Sequence, residues 1–220
     1  MIKKNITVWI LLSFIASMGL TQPVTTHITK NSIWNPKVQV HSLFVDCLGN
    51  MNVEDCIIAV MKTNGASTEA IDFTIKLAKS DPSYQWGYMD KFIETGTVDV
   101  VSVNLPLRAN ANQIYVLVNG FPEIISTENP SCDKDINKDP LYPSLLKKYP
   151  DLAMWFNGNT YKGTEKLPDG GQRILFTYYL VNGCHACGIG VDAIVAFDFD
   201  RKGKFLGTKF LKLVKTKDIK

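Results

Sequence analysis

Three consecutive segments in the C-terminal part of the chain alternate apolar and polar side chains, and this pattern limits the fold more than any other feature. The segments span residues 172–182, 191–199 and 204–214. A period of two residues is typical of strands with one buried face, and the short turns between the segments favour antiparallel pairing. The sequence therefore predicts an antiparallel β-meander here. The apolar positions of its first two strands are Ile174, Phe176, Tyr178, Leu180, Val191, Ala193, Val195, Phe197 and Phe199.

The segments that precede the meander are mostly helical in pattern. Asn52 can cap a helix over residues 53–62, and a second helix is predicted over residues 68–79. An aromatic-rich third helix is predicted over residues 84–94, and a strand over residues 38–45. N-terminal helices followed by a meander indicate the α+β class with an antiparallel sheet.

The middle of the chain combines strands with one long polar segment. Residues 97–103 and 113–118 are predicted to form a hairpin with a long tip. Residues 126–140 are rich in Asn, Asp and Pro, and they are either a surface loop or the one place for an internal domain boundary or a mobile lid. A short helix over residues 141–149 and a strand over residues 152–156 are predicted to follow.

The first residues have the layout of a secretory signal peptide. Two lysines precede an apolar run over residues 6–20, and Ser17 and Gly19 are small enough for the positions before a cleavage site. The run is shorter than the roughly 20 residues that span a bilayer core, which favours cleavage over a retained anchor. The sequence therefore predicts a signal peptide over residues 1–19, a single α+β domain over residues 20–220, and a periplasmic or secreted protein without a membrane anchor after cleavage.

The charge balance gives no support for a nucleic-acid partner. Loss of the predicted signal peptide takes Lys+Arg from 24 to 22 against 21 acidic residues, which leaves a net charge of about +1. Residues 201–220 contain eight lysines and arginines and one acid. Lysines on a solvated edge strand prevent edge-to-edge association, and this role is favoured over a patch for an acidic partner.

The chain has five cysteines, all downstream of the predicted signal peptide. In an oxidising compartment, cysteines that are close in sequence are expected to pair. Cys47 with Cys56, and Cys184 with Cys187, are therefore the natural disulfides. Cys132 then remains as a free thiol or as an intermolecular link.

The sequence Cys184-His185-Ala186-Cys187 lies between two predicted strands and is flanked by glycines, so we expect an exposed hairpin tip. One interpretation is a disulfide-clamped loop that presents His185 to a partner, with its conformation fixed in advance by the bridge. A second is a purely structural clamp in which His185 has no role. Both interpretations predict the Cys184–Cys187 disulfide.

Redox and metal chemistry are the alternatives for the same residues. A thioredoxin-like site places its first cysteine at a helix N-terminus, whereas a strand is predicted to follow this loop. A closed zinc site needs four ligands, and the remaining cysteines and histidines form no second Cys-x-x-Cys pair. Both alternatives stay open, with Cys184, His185 and Cys187 as the participants.

The features around the loop follow one another in an order that is shared with a known family. They are a strand, a cysteine-bracketed loop with one histidine, the strand Ile194-Val195-Ala196-Phe197, the turn Asp200-Arg201-Lys202 and a strand beginning Phe205-Leu206-Gly207. Over about 45 residues this order resembles the periplasmic inhibitor of vertebrate lysozyme, whose loop is longer between its cysteines than the two residues here. In that family a disulfide-closed loop inserts a histidine into the lysozyme cleft. The resemblance implies that His185 donates hydrogen bonds to the paired carboxylates of a glycosidase.

Other functional motifs do not occur in the sequence. It contains no His-Glu-x-x-His, no Gly-x-Ser-x-Gly and no phosphate-binding glycine loop, and no cofactor is expected. Aromatic residues such as Tyr88 and Trp155 are expected to pack in the core rather than to line a cleft. The sequence therefore predicts a non-enzymatic exported protein that presents the Cys184–Cys187 loop to an extracytoplasmic protein such as lysozyme. The alternative is a periplasmic thiol–disulfide redox or metal-binding protein.

Overall fold

The computed structural model of the protein describes residues 27–109 and 112–216. The predicted signal peptide lies outside the described residues. Within those ranges no helix is both long enough and apolar enough to cross a bilayer. The helices are α1 (Val40–Cys47), α2 (Val53–Thr63), α3 (Thr68–Ser80) and α4 (Tyr142–Lys148), with 3-10 helices at Lys30–Ser32, Pro82–Tyr84 and Asp133–Lys138.

The strands form two separate antiparallel sheets of four strands each. In both sheets neighbouring strands are consecutive in the chain, and we call them sheet 1 and sheet 2 in chain order. The α+β class predicted from the sequence is confirmed. Sheet 1 contains β1 (Tyr88–Ile93), β2 (Asp99–Asn104), β3 (Gln113–Val118) and β4 (Ile124–Ser126); sheet 2 contains β5 (Leu152–Lys166), β6 (Gln172–Asn182), β7 (Gly188–Phe199) and β8 (Phe205–Lys215).

The segment predicted as a strand over residues 38–45 is helix α1, so that prediction is wrong. Val40, Phe44 and Cys47 are buried at helical spacing and pack with residues of α2 and α3. Val45 belongs to the same apolar run but is 43% exposed, because it lies on the opposite face of the helix. An apolar run this short does not distinguish a strand from a helix by its period.

The predicted third helix over residues 84–94 is also wrong. The helical conformation ends at Tyr84, because Gln85 has a ψ of 129°, and Trp86 then has a φ of +65°, in the left-handed region, before β1 begins. Strand β1 then pairs along β2. Three of the four aromatic side chains in this segment are nevertheless buried: Tyr84, Trp86 and Tyr88 are at most 7% exposed.

Sheet 1 is the middle layer of three. Alternate residues of β2 point to opposite sides: Val101 and Val103 pack with α3, whereas Val100 packs with sheet 2. Helices α1–α3 therefore lie on one side of sheet 1, with α3 packed on its face, and sheet 2 covers the other face. The face of sheet 2 that points away from sheet 1 is called the outer face below.

Polar side chains link the two sheets as well. Gln172, at the start of β6, accepts a hydrogen bond from the Val98 N–H at 3.0 Å and donates one to the Val98 carbonyl oxygen at 2.7 Å. Its amide nitrogen also lies 3.1 Å from the Thr95 hydroxyl. Gln172 is 8% exposed and Val98 is fully buried, so these bonds satisfy groups that water does not reach.

The polar segment over residues 126–140 packs against sheet 2. Ile136 belongs to the core that sheet 2 shares with sheet 1, and the Asp139 carboxylate accepts a hydrogen bond from the Leu213 N–H at 2.7 Å. Cys132, in the same segment, is a free thiol. Burial raises the pKa of this thiol, so the less reactive protonated form is favoured.

Candidate functional site

The Cys184–Cys187 loop joins β6 to β7 at one end of sheet 2. The two cysteines form a disulfide whose Cα atoms are 5.1 Å apart, and the Cys187 N–H donates to the Cys184 carbonyl oxygen at 3.0 Å. Residues 183–188 are all exposed. The four-residue turn is therefore closed twice, once covalently and once by a backbone hydrogen bond.

The loop is also anchored to the start of β5. The Gly183 N–H donates to the Asp151 carbonyl oxygen at 3.1 Å, and the Asp151 N–H donates to the Asn182 side-chain oxygen at 3.0 Å. Gly183 has a φ of +76°, a conformation that glycine adopts without a steric penalty. These bonds fix the position of the loop relative to its neighbouring strand, so it is preorganised for contact.

The His185 ring lies beside two aromatic side chains of sheet 2. Its centroid is 5.6 Å from that of Trp155, with an angle of 35° between the rings. Trp155 in turn lies 6.4 Å from Tyr179. Trp155 is half-buried and contacts the loop rather than the core clusters, so the expected core position is wrong for this residue. His185, Trp155 and Tyr179 form a continuous aromatic surface at this end of the outer face.

Two charged side chains flank this aromatic surface. Asp192 is the cross-strand partner of Tyr179, and Lys162 is close enough for its charge to act on the Asp192 carboxylate. Burial raises the pKa of Asp192, and Lys162 opposes that shift. We call the surface formed by His185, Trp155, Tyr179, Asp192 and Lys162 the clamp face.

Sequence analysis identified His185 but not the aromatic neighbours that hold it. Tyr179 carried a usable signal, because it falls on the opposite side of β6 from the buried residues Tyr178 and Leu180. An aromatic residue at an outward position of a strand is a candidate for contact with a partner. Trp155 carried no such signal, since the strand containing it is irregular between Met154 and Asn159.

In the structure the loop is oxidised and presents no free thiol. Both thiols are used by the disulfide, so neither is a thiolate ligand in this state. Cys184 follows a strand and precedes a strand, with no helix N-terminus to lower a thiol pKa. Within residues 27–109 and 112–216, no three His, Cys, Asp or Glu side chains are grouped to hold a metal ion. The oxidised loop presents an exposed imidazole on an aromatic support.

Comparisons of the chain with protein-family models, with curated proteins and with solved structures found no match in any of the three.

The two disulfides differ in the length of chain that they close, and this difference is testable. We expect Cys184→Ser/Cys187→Ser to lower the free energy of unfolding by about 2 kcal/mol, because a four-residue loop restricts the unfolded chain little. Cys47→Ser/Cys56→Ser, which opens the longer loop between α1 and α2, is expected to cost about 3 kcal/mol. Urea titration followed by fluorescence measures both values. A larger loss from the short loop would contradict the entropic account.

Proposed function

We propose that the protein is an exported, non-enzymatic binding protein that contacts its partner through the Cys184–Cys187 loop. The observation that carries this proposal is an exposed loop fixed by a disulfide and by hydrogen bonds to Asp151. A loop held in one conformation loses little entropy on binding. A clamp whose only role is to hold the hairpin would not need an exposed histidine supported by Trp155.

A lysozyme-like glycosidase is the partner that we propose. The resemblance to the lysozyme inhibitor family supports it, and so does the chemistry of the two surfaces. Glycosidases use a pair of carboxylates, and an imidazole N–H that donates to a carboxylate forms a strong, charge-assisted hydrogen bond. Trp155 and Tyr179 add the aromatic contacts that are typical of interface hot spots.

The proposed mechanism needs an oxidising compartment outside the cytoplasm, where the disulfide of the loop persists. Both close cysteine pairs form disulfides, which persist in oxidising compartments and are rare in the cytosol. The signal-peptide layout of residues 1–19 supports the same location. A periplasmic or secreted inhibitor would meet lysozyme there.

We expect His185→Ala to weaken inhibition of a lysozyme by about 10- to 100-fold, as the loss of an interface hot spot does. The measurement is the rate at which the enzyme clears a suspension of bacterial cell walls, at increasing concentrations of the protein. The melting temperature is expected to stay unchanged because His185 is exposed and lies outside the core.

A matched control is available in His27, another exposed histidine. His27→Ala should inhibit as well as the unmodified protein. No inhibition by the unmodified protein, across lysozymes of different classes, would overturn the lysozyme proposal. A second test treats protein purified from an exporting host with an alkylating reagent and measures its intact mass. If Cys184 and Cys187 were alkylated without prior reduction, they would be free thiols, and redox or metal chemistry would replace the clamped-loop mechanism.

A further inference from the structure

A second candidate site lies away from the clamp face, in a cleft of about 590 Å³. One wall is formed by residues 35–41, which lead into α1, and the other by the ends of β1 and β2 with residues 106–109. The volume is within the range of small-molecule binding sites. No clamp-face residue lines this cleft, so the inference below is independent of the proposed function.

Asp90 reaches the cleft from an irregular position in β1. Met89 pairs with Val103 and Lys91 pairs with Ser102, which leaves Asp90 as the extra residue of a β-bulge. A bulge redirects a side chain out of the regular alternation, and bulges are frequent next to binding sites. The backbone of β1 therefore places a carboxylate at a position that regular pairing would not provide.

The Asp90 carboxylate has one hydrogen-bond partner among the described residues and no cationic one. Its Oδ1 atom is buried without a hydrogen bond, and its Oδ2 atom accepts one from the Gln113 side-chain nitrogen at 3.0 Å. No cationic side chain of residues 27–109 or 112–216 lies within 4.0 Å of it. The nearby cation Arg108 is bound by both oxygens of Glu128, at 2.8 and 3.3 Å.

The charge of Asp90 also acts on neighbouring groups. It adds to burial in raising the pKa of Tyr88 and of Tyr115, so both phenols stay neutral. A half-buried carboxylate without a cation is costly to the folded protein, and a ligand that supplies the cation removes that cost. The Asp90 carboxylate therefore favours a cationic group in this part of the cleft, where Arg108 is already paired with Glu128.

The remaining lining favours hydroxyl groups. Amide side chains line both walls, and each amide offers a donor and an acceptor to a hydroxyl. His41 Nδ1–H donates to the Pro106 carbonyl oxygen at 2.6 Å, which ties the first wall to the second. Because this bond fixes the two walls relative to each other, the cleft is preorganised for a ligand. The amides are Asn35, Gln39, Asn104 and Asn112.

We propose that this cleft binds a polyhydroxylated amine, whose ammonium group pairs with the Asp90 carboxylate. The hydroxyl groups of the ligand bond to the amide side chains. An anion of the same size would be repelled by Asp90, and a neutral polyol would leave its charge uncompensated.

Glucosamine and glucose are suitable probes, because they differ at one position, an ammonium against a hydroxyl. They are titrated into the isotope-labelled protein at a pH at which the amine is protonated, and backbone amide signals are followed by NMR. We expect glucosamine to shift the signals of Tyr88, Asp90 and His41 in a saturable way and to bind at least about tenfold more tightly than glucose. Asp90→Asn, which keeps the acceptor for Gln113, should remove that preference.

Two variants keep the result interpretable. Asn104→Lys leaves Asp90 in place but brings an ammonium group into the cleft, so it should abolish glucosamine binding. His185→Ala should leave binding unchanged, because that residue belongs to the clamp face. Equal affinity for glucose, shifts outside the cleft, or unchanged binding by folded Asp90→Asn would each overturn the proposal.

Discussion

Replacement of Phe176 by alanine is expected to lower the free energy of unfolding by about 3–5 kcal/mol. The Phe176 side chain is fully buried between the sheets. Its ring centroid lies 5.5 Å from that of Phe197 in β7 and 5.8 Å from that of Tyr115 in β3. Truncation removes these contacts and leaves a cavity that neither sheet can fill, because each is held by its own hydrogen-bonded ladder.

Urea unfolding followed by circular dichroism, with both disulfides intact, measures this loss. Phe121→Ala is the matched control, since Phe121 is 71% exposed and its truncation removes no core contact. The control is expected to change the free energy of unfolding by less than about 0.5 kcal/mol. A loss below about 1 kcal/mol for Phe176→Ala would show that the sheets do not share one core.

The second large effect is expected from a polar residue, with Gln172→Leu costing about 1–3 kcal/mol. The volume of the side chain is nearly kept, so the loss comes from hydrogen bonding rather than from packing. The buried Val98 N–H donates to the Gln172 side chain, and leucine offers it no acceptor, whereas the Val98 carbonyl oxygen keeps the Thr95 hydroxyl as a donor at 2.6 Å. Each buried backbone group without a partner costs about 1–3 kcal/mol.

Hydrogen exchange separates this mechanism from general destabilisation. The Val98 amide proton is expected to exchange faster in Gln172→Leu, relative to the amides of β6 and β7 in the same variant. Gln85→Leu is the control, because Gln85 is exposed and should leave both stability and exchange unchanged. Equal acceleration at all amides would mean that the hydrogen bonds to Val98 are not the cause.

The parts of the fold that sequence analysis predicted are those in which local pattern and final burial agree. Strands β6 and β7 have one face on the core and one face outward, so their alternation appears directly in the sequence. The presence of disulfides is confirmed for the same kind of reason, since each pair is close in the chain. The loop with His185 followed from these two features together.

The rest depended on contacts between distant residues. Sheet 1 is covered on both sides, so β2 is buried at nearly every position and has no alternation to read. The helix prediction for β1 is wrong because its strand conformation depends on hydrogen bonds to β2, which its own sequence does not show. The cleft at Asp90 was not predicted, because a bulge depends on how two strands pair and no residue type in β1 indicates it.

The three-layer order has a consequence for how much change each part of the chain tolerates. Sheet 1 lies between two packed surfaces, so most substitutions in β2 disturb one neighbouring layer or the other. The outer face of sheet 2 has no such constraint at partly exposed positions such as Tyr179 and Ile194. This scaffold can therefore be given new recognition surfaces by substitution around the clamp face, while the middle layer continues to specify the fold.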